Sequence, residues 1–119
     1  MNVIDLYQYF KNRKNTKYLS DKTLNFKVKR LIFLNNEDNN ITNFNYLLDT
    51  NNIINKINNN LSNTSQRIHL TLILLILNNM LNETEDEDNI FKINKAISFY
   101  NKKIDRIKKM IKINFFGNN

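Results

Sequence analysis

Apolar residues recur along the chain at helical spacing. Val3, Leu6, Tyr7 and Phe10 fall on one face of a short helix expected to end near Arg13 to Asn15. Ser20 stands just before Leu24, Val28, Leu31 and Ile32, where its hydroxyl can accept the free amides of a helix start. Asp21 is favourable beside the positive end of the same helix dipole. The spacing predicts a helix over Asp21 to Leu34 and then a polar loop over Asn35 to Asn40. Phe44, Leu47 and Leu48 form a short apolar knot, after which Thr50 or Asn51 can cap a helix carrying Ile53, Ile54 and Ile57. The tract Asn58-Asn59-Asn60 ends it, because asparagine competes with the helical backbone for hydrogen bonds.

Ser62 and Asn63 can cap the next helix, with Asn63 and Gln66 at capping-box spacing. Inside it, Leu70 to Leu77 is apolar on every side except at Thr71, the signature of a helix covered all round. The run is stopped by Asn78 and Asn79, well short of the roughly 20 apolar residues a bilayer crossing needs, so it is read as core. The run Glu83 to Asp88 reads as a solvated linker that places negative charge at the positive end of the last helix. That helix carries Ile90, Ile93, Ile97, Tyr100, Ile104, Ile107 and Ile111 at spacings of 3, 4, 3, 4, 3, 4, an a/d stripe. The fold class expected is all-α, a compact bundle of four to five helices with a long basic C-terminal helix. Its divisions are a helical bundle over 1–82, an acidic linker over 83–89 and the amphipathic helix over 90–119, all in one structural domain.

Composition narrows the chemistry. One glycine, Gly117, is too few for a phosphate-cradling loop or a series of tight hairpins. With no cysteine and a single histidine, His69, thiolate catalysis, disulfides and Cys/His metal sites are excluded. His69 lies against the apolar run and reads as structural. The acids at Glu83 to Asp88 have no apolar walls to raise a carboxyl pKa and no calcium-loop spacing. No enzyme, cofactor, metal or small-molecule substrate is therefore expected. Met1 to Phe10 is polar where a secretory signal would be apolar, so an intracellular location without membrane contact is expected. The 26 asparagines, with abundant Ile and Lys, fit an A+T-rich coding bias.

The net charge of +7 is unevenly placed. Lys11 to Arg30 holds eight basic residues against Asp21, and Lys92 to Lys112 holds eight against Asp105; only Lys56 and Arg67 lie elsewhere. Two such blocks attract a polyanion, of which nucleic acid is the commonest in cells. The bland counterpart is a lysine-rich surface that keeps the chain soluble.

The paired segments Ser20-Asp21-Lys22-Thr23-Leu24 with Leu31, and Ser62-Asn63-Thr64-Ser65-Gln66-Arg67 with Ile73, resemble the N-terminal core-binding, SAM-like domain of tyrosine recombinases of phage-integrase type, as encoded by large DNA viruses. In that family a Ser-x-x-Thr helix start and a later hydroxyl-x-Arg helix start approach the DNA backbone. The resemblance puts Ser20 and Thr23 at the first start and Ser65, Arg67 and Leu70 at the second, while Lys27 and His69 stand where the family carries aromatics. It covers about Tyr7 to Tyr100 and leaves no room for the family's catalytic half, which implies a free-standing module or a remnant, in the nucleus, viral factory or virion if viral.

The candidate nucleic-acid-binding residues are Ser20, Lys22, Thr23, Lys27, Arg30, Ser65, Arg67, Lys102 and Lys103, facing duplex DNA with weak sequence preference. The candidate interaction stripe is Ile93, Ile97, Tyr100, Ile104, Ile107 and Ile111. Its length, running past any short neighbour, leads to the expectation that Ile104 to Ile111 stand in water unless a second copy pairs with them as a homodimer. Two other readings use the same helix: an assembly or scaffold protein joined through the stripe, and an adaptor that offers the basic helix to an acidic protein.

Overall fold

The structure, a computed structural model, describes residues 2–117, with side chains described over 2–113. Among these residues there are helices and no strand: α1 (Leu6–Lys11), α2 (Asp21–Leu34), a 3-10 turn (Asn45–Leu48), α3 (Thr50–Asn60), α4 (Asn63–Glu83) and α5 (Glu87–Gly117). The class is all-α, as the spacing predicts, and it ends in a long helix. Its contacts divide the chain into two units, Met1–Tyr46 and Leu47–Asn119.

In the first unit α1 packs on α2. The α1 start differs from expectation: Asp5 caps the helix by accepting the Gln8 amide, so Val3 lies outside it and is exposed. The segment before α1 is held elsewhere, the Ile4 amide donating to the Ile41 carbonyl at 2.8 Å. The Lys11 end comes earlier than the predicted Arg13 to Asn15. A buried Thr16 takes over there, donating its hydroxyl to the Phe10 carbonyl at 2.6 Å. α2 has the predicted bounds, with Ser20 as its cap and Leu24, Leu31 and Leu34 buried. Its far end closes with the Glu37 amide on the Ile32 carbonyl at 3.0 Å, while Asn36 adopts φ 58°. That is a Schellman stop with asparagine in the left-handed position that most chains give to glycine. Glu37 follows at φ 64°, a conformation costing a β-carbon-bearing residue about 1 to 2 kcal/mol.

The second unit is built on α4. Leu70, Leu72, Ile73, Ile76 and Leu77 are buried, and α5 lies along it as the other arm of a helical hairpin. The expected seven-residue linker over 83–89 is shorter here, because α4 runs through Glu83 and α5 begins at Glu87. Within the three connecting residues Asp86 caps α5, its carboxylate accepting the Asp88 amide at 2.9 Å and the Asn89 amide at 3.2 Å. α3 packs on both long helices through Ile53 and Ile57. Its cap is Asp49, where Thr50 or Asn51 was expected, since the Asp49 carboxylate reaches the Asn52 amide. The Asn63–Gln66 capping box does not form either. Ser62 caps α4 alone, and Gln66 turns back to donate to the Leu61 carbonyl at 2.9 Å.

The stripe of α5 closes the chain's own core. Ile93, Tyr100, Ile104 and Ile107 are buried together with Ala96, whereas Ile97 and Ile111 are half-buried. The expectation that Ile104 to Ile111 stand in water is thus overturned for Ile104, 6% exposed, and Ile107, 1% exposed. The reason is the length of the partner. α4 has 21 residues, and the same number counted from Glu87 reaches Ile107, the last fully buried position among the described residues. A homodimer formed through this stripe would have to displace the packing that already covers it. Tyr100 locks the hairpin by donating its hydroxyl to the Leu47 carbonyl at 2.6 Å.

Two mutations check this packing. Ile107→Ala is expected to destabilise by about 2 to 5 kcal/mol in urea denaturation, and Ile113→Ala, exposed beyond the reach of α4, by less than about 0.5 kcal/mol. Equal costs would contradict the covered stripe. Tyr100 also predicts alkaline behaviour. Burial, with the Asp49 charge adding to it, raises its hydroxyl pKa far above the ordinary 10.0. The stabilisation is fully present below that value and is lost as pH rises past it. Tyr100→Phe is expected to blunt alkaline unfolding, at a cost near neutral pH of about 1 to 3 kcal/mol from the orphaned Leu47 carbonyl.

Candidate nucleic-acid interface

The basic residues of the first unit divide into those committed to the fold and those turned to water. Lys11 pairs with Asp21 at 3.5 Å and lies 5.5 Å over the Tyr7 ring. Arg13 lies 3.5 Å over the Tyr9 ring and donates to the Tyr9 carbonyl at 3.0 Å. Asp21, the sole acid of this block, also accepts a short hydrogen bond from the Tyr7 hydroxyl. Its charge is therefore answered locally, by Lys11 and Tyr7. Lys14, Lys17, Lys22 and Lys29 remain exposed.

On α2, Lys22, Phe26, Lys29 and Arg30 recur at helical spacing opposite Leu24 and Leu31, and so share the outward face. Phe26 is exposed, with Arg30 at 5.6 Å and Lys29 at 5.9 Å from its ring. Lys27 is half-buried on the flank of this face. Burial, and then the neighbouring Arg30, lowers its ammonium pKa, so an anion placed there would relieve a charge that water solvates poorly.

The predicted helix starts are occupied by their own caps. Ser20 accepts the Thr23 amide at 3.2 Å and donates to the Thr23 hydroxyl at 3.0 Å. Ser65 is half-buried, its amide 3.3 Å from the Ser62 hydroxyl and its carbonyl 2.8 Å from His69 Nδ1. A carbonyl accepts only, so Nδ1 carries the hydrogen, and His69 is buried in the structural role the sequence suggests. Arg67, two residues after Ser65, is exposed. Ser20, Lys22, Thr23, Lys27 and Arg30 thus share one helix of the first unit. Ser65 and Arg67 on α4, and Lys102 and Lys103 on α5, belong to the second.

On α5 the cations form the outward face. Lys92, Lys95, Lys102, Arg106 and Lys109 are exposed, Lys103 is half-buried, and none of them is in an ion pair among the described residues. Sequence reasoning missed the aromatics beside them: Phe91 is 69% and Phe99 39% exposed. Their signal was present, since both lie off the buried stripe, eight residues apart, with lysine between them. Among the described residues no group of His, Cys, Asp and Glu could hold a metal ion, and no helix is long and apolar enough to cross a membrane.

Comparison with protein-family models, with curated proteins and with solved structures returned no match. The recombinase resemblance rests on its own short motifs.

The Tyr7–Asp21–Lys11 cluster makes the docking of α1 on α2 pH-dependent. The Tyr7 hydrogen bond first, then Lys11, hold the Asp21 carboxyl below its ordinary 3.8, so its contribution is present above that value and lost as pH falls through the lower, folded one. The same hydrogen bond raises Tyr7 above 10.0, a contribution present below pH 10.0 and lost as pH rises through its folded value. Amide protection factors in α1 are expected to fall at both extremes, and Asp21→Asn to remove the acid limb. A variant whose acid limb matches wild type would show that another group controls it.

Proposed function

We propose that the protein is a non-catalytic nucleic-acid-binding module that holds duplex DNA through its phosphates with weak sequence preference. The observation that carries this reading is that each unit presents cations without a carboxylate partner among the described residues, the first on the outward face of α2 and the second on the outward face of α5. Lys22 and Lys29 with the half-buried Arg30 on the first, and Lys102 and Arg106 with the half-buried Lys103 on the second, project from the helices. Cations held this way neutralise phosphates, release condensed counterions and contribute affinity that does not depend on base sequence. Lys27 adds a half-desolvated ammonium that gains more from an anion than a fully hydrated one. The resemblance to a recombinase core-binding domain supports duplex DNA as the target, with the α2 start in the first unit and the α4 start in the second each a candidate contact. Ser20 and Thr23 enter this reading as the groups that fix the first turn of α2, their hydroxyls being engaged with each other.

If about four to six phosphates are neutralised, the logarithm of the binding constant falls against log salt with a slope near −4 to −5. Titrations at several salt concentrations check this; no binding at low salt, or affinity indifferent to salt, overturns it. Lys27→Ala, Arg30→Ala and Arg67→Ala are each expected to weaken binding to all duplex sequences about equally, and more than Lys102→Ala with Lys103→Ala. The reverse ranking would move the duplex site onto α5 and remove the support of the recombinase resemblance.

A further inference from the structure

The outward face of α5 carries more than charge. Phe91, Lys95, Phe99, Lys102 and Arg106 follow one another at spacings of 4, 4, 3 and 4, so they form a single strip opposite Ile93, Tyr100, Ile104 and Ile107. All five are exposed. The two phenyl rings, about 12 Å apart along the helix, flank an open groove of about 590 Å³ floored by Asn94, Lys95 and Ser98. Beside Phe99 lies a second cleft of about 300 Å³, lined by Lys92 and Lys95 with Leu48 and Thr50. That size is at the lower end for ligand pockets. An edge-on contact with the buried Tyr100, at 5.8 Å between centroids, steadies Phe99.

We infer that this strip binds single-stranded nucleic acid, with unpaired bases stacked on Phe91 and Phe99 and phosphates on Lys95, Lys102 and Arg106. The inference rests on the nucleic-acid reading above and gives the α5 face, whose Lys102 and Arg106 also serve phosphates in that reading, an added specificity for unpaired strands carried by Phe91 and Phe99. Its occupant must match two features at once. The rings demand flat apolar faces, and the cations between and beyond them demand negative charge at regular intervals. A single strand presents a π-face and a phosphate at every nucleotide, whereas a duplex keeps its base faces stacked inside. Charge also sets the direction of the site: Asp86, Glu87 and Asp88 close the strip at the start of α5, so the strand extends from Phe91 toward Arg106 and Lys109. The α2 face differs, because Lys29 and Arg30 already lie close to its exposed Phe26 ring.

The test uses the full chain with two labelled probes, an oligothymidylate of about 16 nucleotides and a duplex of equal length, followed by fluorescence anisotropy at low salt. Phe91→Ala and Phe99→Ala are each expected to weaken oligothymidylate binding by about 5- to 150-fold, the range for one lost base stack, while duplex affinity changes less than about twofold. Phe91→Leu, which keeps apolar bulk without a π-face, is expected to behave like Phe91→Ala. The chain has no tryptophan, so Phe91→Trp supplies a single reporter expected to retain affinity and to be quenched by the oligothymidylate but not by the duplex. Absence of binding to both probes overturns the nucleic-acid reading and this inference with it. Duplex binding that persists while the alanine variants hold oligothymidylate like wild type overturns the inference alone. So does full affinity in Phe91→Leu, or displacement by polyglutamate as effective as by oligothymidylate, which would assign the strip to an acidic protein.

Discussion

The second unit depends on covering α4. A helix that is apolar on almost every side cannot lie at a surface, and Leu70, Leu72, Ile73, Ile76 and Leu77 each forfeit about 1.5 to 3 kcal/mol if left in water. α3 offers only Ile53 and Ile57 to this task, so α5 must supply most of the cover. Its Ile stripe is consumed in doing so, and its polar residues are driven to the opposite side. The basic outward face is therefore a consequence of the same burial that shapes the core. A short connection capped by Asp86 sets the register, and Tyr100 fixes the hairpin to the Leu47 backbone.

Much of this was legible from local chemistry. α2 has a hydroxyl cap at one end and a pair of asparagines at the other, and both signals act within a few residues, so its predicted and observed bounds coincide. α1 was misplaced because the competing partner is remote: the Ile4 amide is satisfied by Ile41, which nothing near Ile4 in the sequence announces. Capping was legible in kind and less so in detail. Asp49 outcompetes Thr50 and Asn51 because its carboxylate stands before the first free amides, whereas the other two already lie inside the helix.

The candidate site was read as charge and found to be charge with aromatic rings. Counting cations requires only the sequence, but deciding which phenylalanines face water requires knowing which side of the helix its neighbour takes. On α5 that side includes Ala96 and leaves Ile97 half-buried, a choice made by the packing of α4 and α3 against it. Phe91 and Phe99 follow from that rotation. The overestimate of exposed stripe came from the same source, since the length of α4 past Asn78 and Asn79 was not apparent from its apolar run.

Asparagine holds several posts in this chain, one of them, at Asn36, a position that other chains give to glycine. Asn36 takes the left-handed position after α2, while the side-chain amides of Asn60 and Asn78 donate to the Lys56 carbonyl at 2.7 Å and the Leu74 carbonyl at 2.9 Å. These posts have a chemical lifetime. Hydrolysis of an asparagine amide with age replaces a donor by an anion, and at Asn60 that anion would face a carbonyl oxygen at the negative end of α3. Each such event also subtracts one unit from a net charge of +7. The side-chain amides that hold these helical backbones thus tie them and the basic surface to a common clock.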